Sequence, residues 1–204
     1  MSHAVTTDTE DTTATTGPKA RPLRADAARN RCKLVEVAHV VFEEDGPDAS
    51  LEIIAKRAGV GIGTLYRHFP TRQSLQEAVF LGSAQELRRQ AEELVDAADR
   101  MAALVTWLRL QIDFGSLGHN LGAAVLNAKH DEGSEIYLAC AQGREAGERL
   151  LTRAKEAGAV RADVVLSDVL RLLHGMVMTA GAREDGSRQR MDRMFDLIVA
   201  GLRP

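Results

Sequence analysis

Leu34, Ala38, Val41 and Phe42 return at the spacing of one helix face in a run that begins at Asp26 and stops at Gly46-Pro47. Proline there opposes continuation of a helix. Ser50 offers an acceptor for an orphan N–H and predicts a short second helix through Ile53, Ile54 and Ala58, closed by Gly59 in a left-handed conformation. Only Gly59, Val60 and Gly61 separate it from a third run, Ile62 to Phe69. Pro70 ends that run, and Thr71 caps a longer helix carrying Leu75 and Val79, which the charged stretch Ala84–Ala98 continues with solvated faces. The pattern is helix, tight turn, helix, then a connecting helix.

Beyond Arg100 five more helical runs are expected, at about 100–114, 119–130, 134–157, 163–181 and 188–202, with Gly115/Gly118, Gly133, Ala157-Gly158 and Gly181–Gly186 as breaks. No repeat period appears and no strand-like alternation lasts a whole element, so the fold class is all-α. Aromatics at 4% of the chain, against abundant Ala, Leu, Arg and Glu, point the same way. Residues 1–17 hold seven threonines and no large aliphatic side chain beyond Val5. Nothing there offsets the entropy of ordering, and residues 1–20 are expected to be a disordered tail.

The chain has 204 residues, 45% of them apolar, enough for one domain or a small module plus a larger body. It lacks a run of 18 apolar residues and the zones of a secretory signal, so a cytoplasmic protein without membrane contact is expected. Cys32 and Cys140 form no CxxC pair and read as buried small hydrophobes. The net charge of −3 argues against coating nucleic acid non-specifically, yet it hides a gradient. Residues 1–17 carry −3 and residues 83–204 carry −2, while residues 18–82 carry +2, from ten Lys/Arg against eight Asp/Glu. Arg21, Arg24, Arg29, Arg31 and Lys33 open that block. They read either as a solvated tail or as an arm that follows a DNA backbone or enters a minor groove.

A short helix, a Gly-containing turn and a second helix form the geometry that places the second helix in a major groove. With Leu65 and Phe69 facing a core, Thr64, Tyr66, Arg67 and His68 are left outside, all able to hydrogen-bond, and Gly61 and Gly63 allow close approach of backbone N–H groups to phosphate. The string Ser50-Leu51-Glu52-Ile53-Ile54-Ala55-Lys56-Arg57-Ala58-Gly59-Val60-Gly61-Ile62-Gly63-Thr64-Leu65-Tyr66-Arg67-His68-Phe69-Pro70-Thr71-Arg72 closely resembles the DNA-binding signature of the TetR family of transcriptional repressors. It keeps the family's "IA..AGV..GTLY.HF" core, over roughly residues 27–82.

The resemblance implies a helix-turn-helix DNA-binding domain over 21–72 and a C-terminal ligand-binding and dimerisation domain over 73–204. It implies a homodimer that binds double-stranded DNA at a pseudopalindromic operator and is released by a small-molecule effector. Position by position, Thr64, Tyr66, His68 and Arg72 correspond to phosphate contacts, and Ile62, Gly63 and Arg67 to the groove-facing set. Gly61 departs from the family, where Ser or Thr is common, and a backbone N–H is expected to serve instead. Ile62 suggests contact to a thymine methyl and Arg67 to a guanine edge.

In the body, the helix at 100–114 is apolar around more than half its circumference, through Met101, Leu104, Trp107, Leu108, Leu110, Ile112 and Phe114. It reads as a central core helix, or as the wall of a ligand cavity lined by Trp107, Gln111 and Phe114, with Asn127, Tyr137, His174 and Met178 as further candidates. The last two helices are broadly apolar and suit a dimer interface. An enzyme would need a convergent nucleophile, base and orienter. His119, His130, Asp131, Glu132, Glu135 and Cys140 come nearest, without metal or triad spacing, so no catalytic site, metal or cofactor is expected.

Overall fold

The computed structural model describes residues 20–121, 123–179 and 187–204. Among the described residues the regular structure is nine helices and no strand: α1 (Ala20–Asp45), α2 (Leu51–Ala58), α3 (Ile62–His68), α4 (Arg72–Leu94), α5 (Arg100–Asn120), α6 (Ala123–His130), α7 (Glu135–Glu156), α8 (Leu166–Thr179) and α9 (Ser187–Leu202). The expected tail, residues 1–19, lies outside them.

Local chemistry sets the ends of the first elements. The Ser50 hydroxyl accepts from the Ile53 N–H at the start of α2, and Gly59, at φ 71°, closes it with its N–H on the Ala55 and Lys56 carbonyls. Thr71 and Ser74 form a reciprocal capping box at the start of α4. Asp99 and Ser134 cap α5 and α7 through the N–H groups of Ala102 and Tyr137.

Two differences from expectation have physical causes. Helix α1 starts at Ala20 rather than Asp26, so the backbone of the Arg21–Lys33 stretch is helical. Pro22 falls in its first turn, where the missing N–H has no intrahelical partner to lose. Helix α5 runs through Gly115 and Gly118 to Asn120 instead of stopping at 114. Gly118 serves packing: a Cβ there would lie 2.9 Å from Phe80 Cε2, so α5 approaches α4 closely at that point without a side chain, whereas a Cβ on Gly115 would make only an ordinary contact with Val177 at 3.8 Å.

Two cores result. The first joins Leu34, Ala38, Val41 and Phe42 of α1, Ile54, Ala55 and Ala58 of α2, Leu65 of α3 with Phe69, and Leu75, Val79 and Phe80 of α4; Leu117, Leu121, Val125 and Ile136 close it from the body. The second joins Leu87 and Ala91 of α4 to Leu104, Trp107 and Leu108 of α5, Leu150 and Leu151 of α7, Leu173 and Met176 of α8, and Phe195 and Leu202 of α9. Helix α4 is common to both, its N-terminal half in the first and its C-terminal half in the second. Cys32 is exposed, contrary to its reading as a buried residue, because it lies on the outer side of α1; Cys140 is half-buried.

Candidate nucleic-acid interface and internal cavity

Helix α3 is held from beneath by Leu65 and Phe69, which are essentially inaccessible. The same rotation turns Ile62, Tyr66 and Arg67 outward, 37% and 46% exposed for the first two, with Thr64 and His68 half-buried at the flanks. Gly61 takes the N-cap position in extended conformation with no side-chain cap; its carbonyl accepts from the Thr64 and Leu65 N–H groups at 2.9 and 3.2 Å, and the N–H groups of Ile62 and Gly63 have no hydroxyl over them. A Cβ on Gly61 or Gly63 would meet nothing within 4 Å, leaving that end of the helix open to a close-fitting surface. Six of the predicted contact residues therefore lie along one short helix and its N-cap, away from its buried face: Gly61, Ile62, Gly63, Thr64, Tyr66 and Arg67. His68 follows Arg67 in its last turn.

Arg72 behaves differently. Its Nη1 donates to the carbonyls of Pro47 (3.2 Å) and Ala49 (2.5 Å), and the Gln76 amide donates to the same Pro47 oxygen at 3.0 Å. The guanidinium thus ties the start of α4 to the α1–α2 turn, whereas the resemblance implies a phosphate contact. Arg57, exposed on α2, donates to Glu44 of α1 at 2.6 Å. On α1, Arg29 pairs with Asp26, and the Arg31 guanidinium lies 5.2 Å from the centre of the Phe69 ring. The side chains of Arg21 and Arg24 lie outside the described residues.

In the body, a cavity of about 420 Å³ opens among α4 to α8, and a smaller one of about 80 Å³ shares Phe114, Gly115, Lys129 and His174 with it. Gln111, Phe114 and His174 line the larger, and Phe114, His174 and Met178 the smaller. Four of the seven predicted cavity residues are thus brought together. Trp107 is not among them. It is fully enclosed, its indole N–H donating to the Leu87 carbonyl at 3.2 Å, and a Cβ on Gly147 would come within 2.1 Å of its ring. Asn127 is exposed and Tyr137 half-buried, and neither lines these cavities. Lys129, Cys140, Arg144, Ser167 and Arg171 line the larger cavity without having been foreseen. The spacing of Cys140 and Arg144, one helical turn apart, was the available signal. Burial pushes the Cys140 thiol up against the opposing influence of Lys129 and Arg144, which keeps it protonated.

A third, more open groove of about 660 Å³ runs between α1, α4 and α5, bordered by His39, Glu43, Glu86, Asp113 and Phe114. Burial raises the Asp113 carboxyl above the usual range, with Arg188 opposing. Among the described residues no three His, Cys, Asp or Glu side chains converge as a metal site, and no helix is long and apolar enough to cross a membrane.

On the outer side of α8 and α9, Val165, Leu172, Met178 and Leu197 are 50% to 74% exposed, and a Cβ on Gly175 or Gly201 would meet nothing within 4 Å. Ala180 and Gly181, expected to share this face, lie outside the described residues.

Residues 34–79 match the family model described as bacterial regulatory proteins, tetR family, and residues 99–204 match that of the SbtR-like transcriptional regulator C-terminal domain. Among solved structures, the TetR transcriptional regulator SCO0520 from Streptomyces coelicolor is 36% identical, with a TM-score of 0.71 over 85% of this chain and 98% of that one. A TetR transcription regulatory protein from Mycobacterium vanbaalenii is 33% identical, with a TM-score of 0.63 over 90% and 100% of the two chains. An HTH-type transcriptional regulator of Staphylococcus aureus is 46% identical over 54 residues, 26% of this chain and 29% of the relative. The chain thus spans less than a third of the length of the curated relatives it matches.

Proposed function

This chain belongs to the TetR family of transcriptional regulators, and on that footing we propose that it is a homodimeric repressor acting in the cytoplasm. It binds a pseudopalindromic operator and leaves it when a small molecule occupies the body. The observation that carries this reading is the outward set on α3, with Ile62, Tyr66 and Arg67 exposed on a helix whose opposite face is fully buried. Thr64, Tyr66 and His68 position the helix on phosphates, together with the N–H groups near Gly61. Ile62 and Arg67 read base edges, and Gly63 lets the backbone come close.

The proposed division is a DNA-binding domain over 21–72 and a ligand-binding and dimerisation domain over 73–204. Dimerisation uses α8 and α9. Leu172 and Leu197, exposed among the described residues, gain burial there from a second chain, and the open sides of Gly175 and Gly201 allow helices to approach closely. A two-fold interface presents two α3 helices, which must lie roughly 34–36 Å apart, or a multiple, to enter successive major grooves on one DNA face. An effector releases DNA only if it binds the splayed dimer more tightly than the DNA-ready one, and by linkage DNA then weakens the effector equally. Helix α4, common to both cores, is the element that carries such a change. A gel shift with genomic DNA fragments at low salt tests the reading: retarded fragments, lost in a Tyr66→Ala/Arg67→Ala variant, are expected. No retardation would overturn it.

A further inference from the structure

The charges around the body cavity run against those of the whole molecule. The chain carries −3 overall, yet Lys129, His130, Arg144, Arg171 and His174 all border the larger cavity, and none of its described lining residues is a carboxylate. The groove between α1 and α4 has the opposite character, with Glu36, Glu43, Glu86 and Asp113 at its edge. The positive lining is thus shared by this cavity and the smaller one beside it, and not by the groove. Arg171 is answered by Asp168 at 2.9 Å, but among the described residues neither Lys129 nor Arg144 has an ion-pair partner. Lys129 is half-buried, where a counter-ion stabilises an ammonium more strongly than in open water. The adjoining smaller cavity shares Lys129 and His174 with it and adds Phe80 and Met178, so Lys129 borders both spaces with aromatic and aliphatic side chains beside it.

We propose that the effector is an amphipathic organic anion, whose carboxylate or similar group meets Lys129 and Arg144 while its apolar part extends toward Phe114, Phe80 and Met178. The inference rests on the reading of the body as an effector domain and gives that domain a ligand class. The larger space, about 420 Å³, is of the size that takes a small organic molecule. Gln111 and Ser167, also on its lining, supply neutral polar groups for orientation. An organic amine would face like charge, and an uncharged ligand would leave the half-buried Lys129 ammonium unanswered, while Arg144 stays in contact with water.

The test uses the full-length protein and two dyes that differ only by one anionic group: anilinonaphthalene sulfonate and its sulfonate-free parent, phenylnaphthylamine. The sulfonate is expected to bind saturably, one per chain, at least about tenfold more tightly than the parent, since a charge-assisted contact contributes on that order. Phenylbutyrate should displace it and phenylbutylamine should not. Lys129→Met/Arg144→Met should abolish the preference for the anion. Lys129→Gln and Arg144→Gln alone should each weaken it several-fold, and Lys155→Met at the far end of α7 should leave it intact. Equal binding of both dyes, retention of the preference in the double variant, or no saturable binding would overturn the inference. Operator binding by the ligand-free wild-type protein is measured in parallel. Its presence without an anion preference removes only the ligand class, whereas its absence removes the regulatory reading itself.

Discussion

The ring of Phe114 on α5 lies against that of Phe80 on α4, centroids 4.6 Å apart and planes inclined by 30°. Phe80 is buried in the core that carries α3, and Phe114 borders both cavities of the body and the groove beside α1. A ligand that moves Phe114 must therefore act on the helix that supports the DNA-binding module. A cycle of Phe80→Leu, Phe114→Leu and the double variant should show about 0.5–1.5 kcal/mol of coupling in urea unfolding. Additive effects would contradict a coupled pair.

Trp107 and Gly147 provide a stricter test of packing. With 2.1 Å between the indole and an added Cβ, Gly147→Ala must displace the ring or the backbone of α7. It should cost about 1–3 kcal/mol in denaturant unfolding. Trp107 is the chain's single tryptophan, so its emission reports this place alone and should move to longer wavelength in the variant. Unchanged stability and emission would contradict the contact.

Arg72→Met removes the donor to the Pro47 and Ala49 carbonyls. The expected loss is about 1–3 kcal/mol of stability, read by thermal unfolding. The dependence of operator affinity on salt should stay unchanged. A slope smaller by about one, with unaltered stability, would instead assign Arg72 to a phosphate.

Glu86 gives a pH dependence of known sign. Hydrogen bonds from Arg89 and Gln90 lower its carboxyl from 4.5 to about 2. Because the folded value is depressed, the contribution is complete above about pH 4.5 and declines as pH falls toward 2. Glu86→Gln should flatten that part of the stability profile, by less than about 1 kcal/mol since the group is solvent-screened. An unaltered acid limb would show that Glu86 does not take part.

The DNA-binding module was legible because each of its signals is local. Gly59, Pro70 and the caps Ser50 and Thr71 lie next to the turns they set, and the inward pair Leu65 and Phe69 determines which neighbours face outward. The body was less legible because its residues are defined by partners distant in the chain. Gly118 resembles a helix break until Phe80 is placed beside it, and Trp107 resembles a cavity wall until Gly147 is placed against it. Lys129 and Arg144 sit on different helices, so the charge they bring to one space has no periodicity in sequence. Arg72 reads as a phosphate contact by resemblance, and its tie to the Pro47 and Ala49 carbonyls, more than twenty residues back, has no local signal.

Selection of bound sequences from a random double-stranded DNA pool tests the central claim most directly. The account predicts enrichment of an inverted repeat with half-sites about one helical turn apart. With Arg67→Ala, affinity should fall by about 1–3 kcal/mol and discrimination should relax at one base pair in each half-site. Failure to enrich any sequence, or enrichment of a single half-site bound by one chain, would contradict a dimer that reads DNA through α3.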